Sequence, residues 1–217
     1  MSAVNITSEL LGFHYRFVQK EPPGSEITLL LLHGTGGSEH DLLGLGPMLL
    51  PEAALLSPRG KVLENGMSRF FRRLAEGVFD EADLHRRTDE LADFIAAACE
   101  KHGRDASKVI AVGLSNGANI AASLLLQRPG VLGGAVLFRA MTPFEPQEAV
   151  NLLKTPVLML SGTADSIVPR ANAEHLAHLL QNAGANVTLH WQRAGHGLAE
   201  TDIQVAHDWL TTFPAKG

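Results

Sequence analysis

The stretch that most constrains this chain runs from Lys108 to Leu126. It opens with Val109-Ile110-Ala111-Val112, a solid apolar run of the kind carried by a strand buried on both faces. It then passes through Gly113-Leu114-Ser115-Asn116-Gly117 and continues as an Ala- and Leu-rich helix. Strand, tight turn and helix put one hydroxyl, that of Ser115, at the apex, which is the arrangement of a nucleophile elbow. The backbone at such an apex is strained and crowded, and glycine two before and two after removes the Cβ atoms that would clash. Ala118, Ala121 and Ala122 follow i, i+3, i+4 spacing, so the helix is small on the side that must lie near the sheet. The G-x-S-x-G pattern alone is weak; the strand before it and the helix after it carry the assignment.

The rest of the chain alternates strands and helices. Met1 to Leu11 is a mixed lead-in, expected to be partly disordered. Phe13, Tyr15 and Phe17 share one face of an expected edge strand over 13–18, and Glu21-Pro22-Pro23-Gly24 reads as a turn. Ile27 to Leu32 predicts a central strand ending in His33-Gly34-Thr35-Gly36-Gly37. A loop with a short helix (38–50) and a short strand (53–56) follow, and then an aperiodic stretch to Asp80, long enough to suggest a working loop. Leu84, Thr88, Leu91, Ile95 and Ala98 mark a helix over 81–101, stopped by Gly103. Further strands are expected at 134–138, 156–160 and 187–191, and helices at 169–182 and 201–210, with a loop and room for a short helix at 143–153. The pattern predicts an α/β fold, a mostly parallel central sheet with helices on both faces. At 217 residues, one domain over 1–217 is expected. Nothing between Leu132 and Pro156 is long enough for a large lid.

Composition excludes several function classes. A formal net charge of −5 argues against nucleic acid as the partner. The single cysteine, Cys99, rules out an intrachain disulfide and, following Ala96-Ala97-Ala98, reads as a buried structural thiol. No basic segment leads into an apolar run at the N-terminus, and no stretch of 18 apolar residues occurs, so stable membrane insertion is not expected and a cytoplasmic location is. Neither a P-loop lysine motif nor a dinucleotide fingerprint is present.

In an open parallel sheet, chemistry gathers at the carboxyl ends of the strands. Those ends carry the His33 turn, the loop to Asp80, Ser115, Asp165 and His196. A serine hydroxyl needs a base. Of ten histidines, His196 lies between Gly195 and Gly197 after the last strand, where a ring can swing over the sheet. His190, inside that strand, reads as core or face filler. His175 and His178 share a helix with no carboxylate from another motif, which does not support a metal pair. His14, His40, His85, His102 and His207 read as surface residues. The imidazole needs an acceptor, and Asp165 after a buried strand is the candidate, with an Asx-turn or cap as its alternative role. Asp202 and Asp208 compete, but both follow His196 on the last helix. The order Ser115, Asp165, His196 is nucleophile, acid, base, the order of an α/β hydrolase and of neither chymotrypsin nor subtilisin. Backbone N–H groups of Asn116 and Thr35 are the expected oxyanion donors, with His33 bracing the Thr35 turn.

Together, Leu32 to Gly37, Gly113 to Gly117, Gly162-Thr163-Ala164-Asp165-Ser166-Ile167-Val168-Pro169 and Gly195-His196 resemble the signatures of the phospholipase/carboxylesterase family of α/β hydrolases. The likeness extends from about Leu29 to Leu210 and is close to small bacterial carboxylesterases and acyl-protein thioesterases. Ser57-Pro58-Arg59-Gly60 with Glu64-Asn65-Gly66-Met67-Ser68-Arg69-Phe70-Phe71-Arg72-Arg73 is similar to a branch that includes hydrolases linked to catechol and hydroquinone stress. The resemblance implies a serine esterase acting on a small-molecule ester or thioester without metal or organic cofactor, and several such enzymes are homodimers. Lysophospholipase or acyl-thioesterase activity is the alternative; dienelactone-type hydrolysis is disfavoured by Ser115 in place of cysteine, and a retired hydrolase fold used for binding belongs to another class. Arg69, Phe70 and Phe71, with Leu114, are expected to form an aromatic substrate site with a cation at its rim. Alternatively Arg59, Arg69, Arg72 and Arg73 pair with Glu64, Glu76, Asp80 or Glu81 and pin the loop. Leu42, Leu43, Leu45 and Met48 are either the opposite pocket wall or core.

Overall fold

Strands that are apolar on both faces need helices on both sides, and the chain supplies them in turn. The computed structural model describes residues 2–21 and 23–213. Strands β1 (Ser2–Leu10), β2 (Phe13–Glu21) and β3 (Thr28–Leu32) precede the short helix α1 (Leu45–Leu49) and β4 (Ala54–Pro58). Four short strands follow, β5 (Val62–Glu64), β6 (Met67–Arg69), β7 (Arg73–Ala75) and β8 (Val78–Phe79), then helix α2 (Glu81–His102). The order closes with β9 (Val109–Leu114), α3 (Asn116–Gln127), β10 (Gly134–Phe138), β11 (Pro156–Gly162), α4 (Arg170–Asn182), β12 (Asn186–Gln192) and α5 (Glu200–Thr211).

The eight-stranded sheet has the order β1-β2-β4-β3-β9-β10-β11-β12. From β4 to β12 all neighbours are parallel, whereas β2 pairs antiparallel with both β1 and β4. Side chains alternate along each strand between two cores. Leu30, Leu32, Val109 and Ala111 meet α2, α3 and α4, and Leu29, Leu31, Ile110 and Val112 meet α1 and α5. The fold is that of an α/β hydrolase, as the strand pattern predicts. Among the described residues no helix is long and apolar enough to cross a membrane.

Several expectations need correction. Residues 2–10 are not a loose lead-in: β1 pairs with β2 along its whole length and takes the sheet edge, so β2 is an inner strand. Phe13, Tyr15 and Phe17 do share a buried face, against Phe94 and His102 of α2. His102 is therefore no simple surface residue, since it stacks on Phe17 at 4.0 Å and bonds the Tyr15 hydroxyl. The turn expected at 21–24 includes Pro22, which lies outside the described residues. The aperiodic stretch 57–80 forms two hairpins, β5–β6 and β7–β8, whose two- and three-residue strands are too short to display a period of two. Residues 143–153 contain no helix. His190 is exposed on the edge strand β12 and fills no core. Cys99 is buried, as expected.

Candidate active site

The elbow shows why its glycines are there. Ser115 has φ 52° and ψ −114°, outside the usual regions for a residue with a side chain. A Cβ on Gly113 would lie 2.5 Å from the Gly117 carbonyl oxygen, and one on Gly117 would run into the Leu32 carbonyl. Only glycine lets β9, α3 and the end of β3 approach this closely. Ala118, Ala121 and Ala122 are fully buried beneath the sheet.

Three strand ends converge on the Ser115 hydroxyl. His196 Nε2 lies 2.9 Å from Ser115 Oγ, and His196 Nδ1 lies 2.9 Å from Asp165 Oδ2. A carboxylate only accepts, so Nδ1 carries the proton and Nε2 is left as an acceptor for the serine O–H. Both roles considered for Asp165 coexist: Oδ1 also takes the N–H groups of Ile167 (2.8 Å) and Val168 (3.0 Å) in an Asx-turn. Burial pushes the Asp165 carboxyl up, but those two N–H groups and His196 outweigh it and hold its pKa below the ordinary value. It is ionised beside a histidine that is a quarter exposed.

The rival carboxylates are used elsewhere. Asp208 accepts from Gln204, and Asp202 is fully buried against Arg139, the residue that follows β10. Arg139 Nε donates to the Gly195 carbonyl (2.8 Å) and Nη2 to that of Gly197 (3.0 Å), so the guanidinium grips both sides of His196. Its other N–H groups go to Leu160 O (2.9 Å) and to both Asp202 oxygens. All five donors are taken, and the residue adopts φ 56° to place them. Sequence reasoning overlooked Arg139, although its position at the carboxyl end of a buried strand was a usable signal.

The His33 turn is braced as expected. Gly60 N–H donates to His33 Nε2 at 3.0 Å, which leaves Nδ1–H to donate to the Gly34 carbonyl at 2.7 Å. Burial, the largest influence, lowers the His33 pKa and favours this neutral tautomer. Thr35 is exposed at the turn and Asn116 is buried at the start of α3; among the described residues neither backbone N–H has an acceptor. The Asn116 side-chain oxygen is occupied separately, with Oδ1 accepting Phe70 N–H at 2.7 Å, whereas Nδ2 is buried with no acceptor among the described residues.

A cavity of about 350 Å³ opens on this cluster. Ser115, Asn116, Thr35, Leu114 and His196 line it, with Arg69, Arg73, Phe79, Met141 and Ile167. Of the expected pocket residues, Arg69 and Leu114 are therefore present. Phe70 and Phe71 are not: both are buried beneath the wall, Phe70 against His33 and Phe71 against Phe79. The aromatic surface comes from Phe79 instead, one hairpin further on. Leu42, Leu43 and Leu45 belong to the core with α1 and α5, and Met48 is exposed, so none forms a pocket wall. The loop arginines are paired, but not wholly as expected: Arg59 with Glu39, Arg69 and Arg73 with Glu64, and Arg72 with Asp80.

Residues 14–213 match the family model for phospholipase/carboxylesterase. The chain belongs to that family of α/β hydrolases. Among its relatives, MhqD of Bacillus subtilis (strain 168), described as a hydrolase, is 50% identical over 185 residues, 85% of this chain and 92% of that protein. The crystal structure of a Bacillus cereus carboxylesterase is 47% identical with a TM-score of 0.88, covering 91% of this chain and 93% of the other. A carboxylesterase from Mesorhizobium loti, 29% identical, superposes with a TM-score of 0.90 over 96% of this chain and 99% of the other. As a member of the phospholipase/carboxylesterase family, the protein is a hydrolase of the carboxylesterase type.

Proposed function

We propose that the protein is a serine carboxylesterase for short-chain acyl or small aryl esters, acting through Ser115, His196 and Asp165. The hydrogen-bonded chain from Ser115 Oγ through His196 to Asp165, at the mouth of a cavity, carries this reading. His196 Nε2 takes the proton as Ser115 Oγ attacks the ester carbonyl, and the N–H groups of Thr35 and Asn116 hold the oxyanion. Asp165 keeps Nδ1 protonated and stabilises the imidazolium. His196 then returns the proton to the leaving alcohol, and water, activated by the same ring, releases the acid from Ser115.

The small cavity and the absence of a helix in 139–155 favour small substrates. Exposed Leu74 and Val78, on the hairpin that supplies Phe79, are the feature that favours a second reading, in which a long acyl chain of a lysophospholipid or thioester lies over the surface. A panel of p-nitrophenyl esters from acetate to palmitate, with an acyl thioester, separates the two. Maximal kcat/KM at acetate to butyrate is expected, and a maximum on long chains or the thioester would replace the first reading by the second. Ser115→Ala is expected to lose on the order of 10⁶ in turnover, and Asp165→Asn about 10⁴. Comparable activity in Ser115→Ala would refute the mechanism. Failure of a fluorophosphonate to label Ser115 would point to a binding module.

A further inference from the structure

Arg69 lies in the cavity wall and is only 3% exposed. A guanidinium has five N–H groups, and a buried one ordinarily finds acceptors for them. Arg69 commits two: Nε donates to the Phe71 carbonyl at 3.1 Å and Nη1 to Thr35 Oγ1 at 2.6 Å. Among the described residues, Nη2 and the second Nη1 proton have no acceptor.

Its charge is also under-matched. Glu64 Oε2 is 3.4 Å from Arg69 Nε, but Oε1 of the same carboxylate accepts from Arg73 Nε at 2.8 Å. One carboxylate thus serves two guanidiniums, and both line the cavity. Burial, foremost, lowers the Arg69 pKa; Glu64 raises it, and Arg73 lowers it further. Glu76 also reaches the cavity, but it is exposed and its charge is screened by water.

We propose that the open edge of Arg69 binds a carboxylate of the substrate, so that the preferred esters carry an acid group a short chain away from the bond that is cut. The proposal rests on the esterase reading and narrows its substrate class. A planar guanidinium takes a carboxylate through paired, charge-assisted hydrogen bonds, and the three free protons suffice. Arg69 and Ser115 line the same cavity of about 350 Å³, so the acid and the scissile carbonyl must both fit within that volume. The bond to Thr35 Oγ1 ties the same guanidinium to the turn that offers an oxyanion donor. Water adds across the acyl C–O bond as in any ester, giving a diacid if the carboxylate is on the acyl side or a hydroxy acid if it is on the alcohol side.

The test uses matched acid and amide esters with the full chain. 4-Acetoxybenzoate against 4-acetoxybenzamide places the charge on the alcohol side. Phenyl hydrogen glutarate against its terminal amide places it on the acyl side. The wild type is expected to favour the acid at least about tenfold in kcat/KM in one pair, mainly through KM, as a charged hydrogen bond implies. Arg69→Gln is expected to bring that ratio to about one, and Arg69→Lys to an intermediate value. No acid preference in either pair, or an equal loss on acid and amide in Arg69→Gln, overturns the proposal and leaves Arg69 as a brace for Thr35. Should Arg69→Gln fail to fold, competitive inhibition of the wild type decides: benzoate or glutarate must bind at least about tenfold more tightly than its amide, and equal binding overturns the proposal. Turnover of both members of a pair, abolished in Ser115→Ala, upholds the esterase reading whichever way the preference falls.

Discussion

Two arginines are buried at this site, and they do opposite things. Arg139 is fully buried with every N–H group bonded, to Asp202 and to the carbonyls of Leu160, Gly195 and Gly197. Arg69 is nearly as buried but bonds only Phe71 and Thr35, with a share of Glu64. A saturated guanidinium has nothing left for a ligand and becomes part of the frame. One with an open edge on a cavity keeps its binding capacity for what enters. The difference lies in the neighbours, since both residues sit just beyond or at the end of a strand.

The largest expected effect tests the saturated member. Arg139→Met leaves the Asp202 carboxylate buried without a counter-charge, and should cost about 3–5 kcal/mol in urea unfolding. The double variant Arg139→Met, Asp202→Leu should recover only part of that stability, because an apolar pair avoids the desolvation cost but leaves Ala199 N–H and the Gly195 and Gly197 carbonyls without these partners. Its kcat should nevertheless stay low, with the His196 loop released from the clamp on Gly195 and Gly197. Full recovery of kcat would show that the clamp matters for stability alone. Arg69→Gln, by contrast, should lower stability by only about 1 kcal/mol, since it removes few bonds. A loss as large as that of Arg139→Met would erase the distinction between the two residues.

Smaller effects sharpen the same contrast. Thr35→Val removes the acceptor for Arg69 Nη1 while keeping the backbone N–H, so kcat/KM on neutral esters should fall no more than about tenfold, one hydrogen bond's worth. A larger drop would mean that the hydroxyl itself takes part in the reaction. The smallest effect concerns pH. His33 has a folded pKa below its unfolded value of 6.5, so the unfolded chain binds the proton more readily. The stability it contributes is present above pH 6.5 and is lost as pH falls through the lower folded value. His33→Asn should flatten the stability profile in that window, and an unchanged slope would remove His33 from the account.

Much of the site was legible because its signals are local. Ser115 and Asp165 each follow a buried strand and His196 follows the edge strand β12, and a parallel sheet sends all such ends to one side. Phe70 and Phe71 misled because an aromatic pair in a loop looks the same whether it faces a cavity or props it from beneath. β1 escaped notice because Ser2–Leu10 is a mixed polar and apolar strand whose stability comes from pairing with β2.

By itself the sequence determined the alternation of the central strands with their helices, the elbow and the chain order of the three candidate groups Ser115, Asp165 and His196. Periodicity, glycine placement and strand ends are properties of neighbours along the chain. Tertiary structure alone decided which arginine is frame and which faces the cavity, that Asp202 answers Arg139, and that Phe79, Met141 and Ile167 form the apolar wall. Those outcomes depend on acceptors and counter-charges contributed by residues far apart in sequence, and a hydrogen bond is satisfied by position in space.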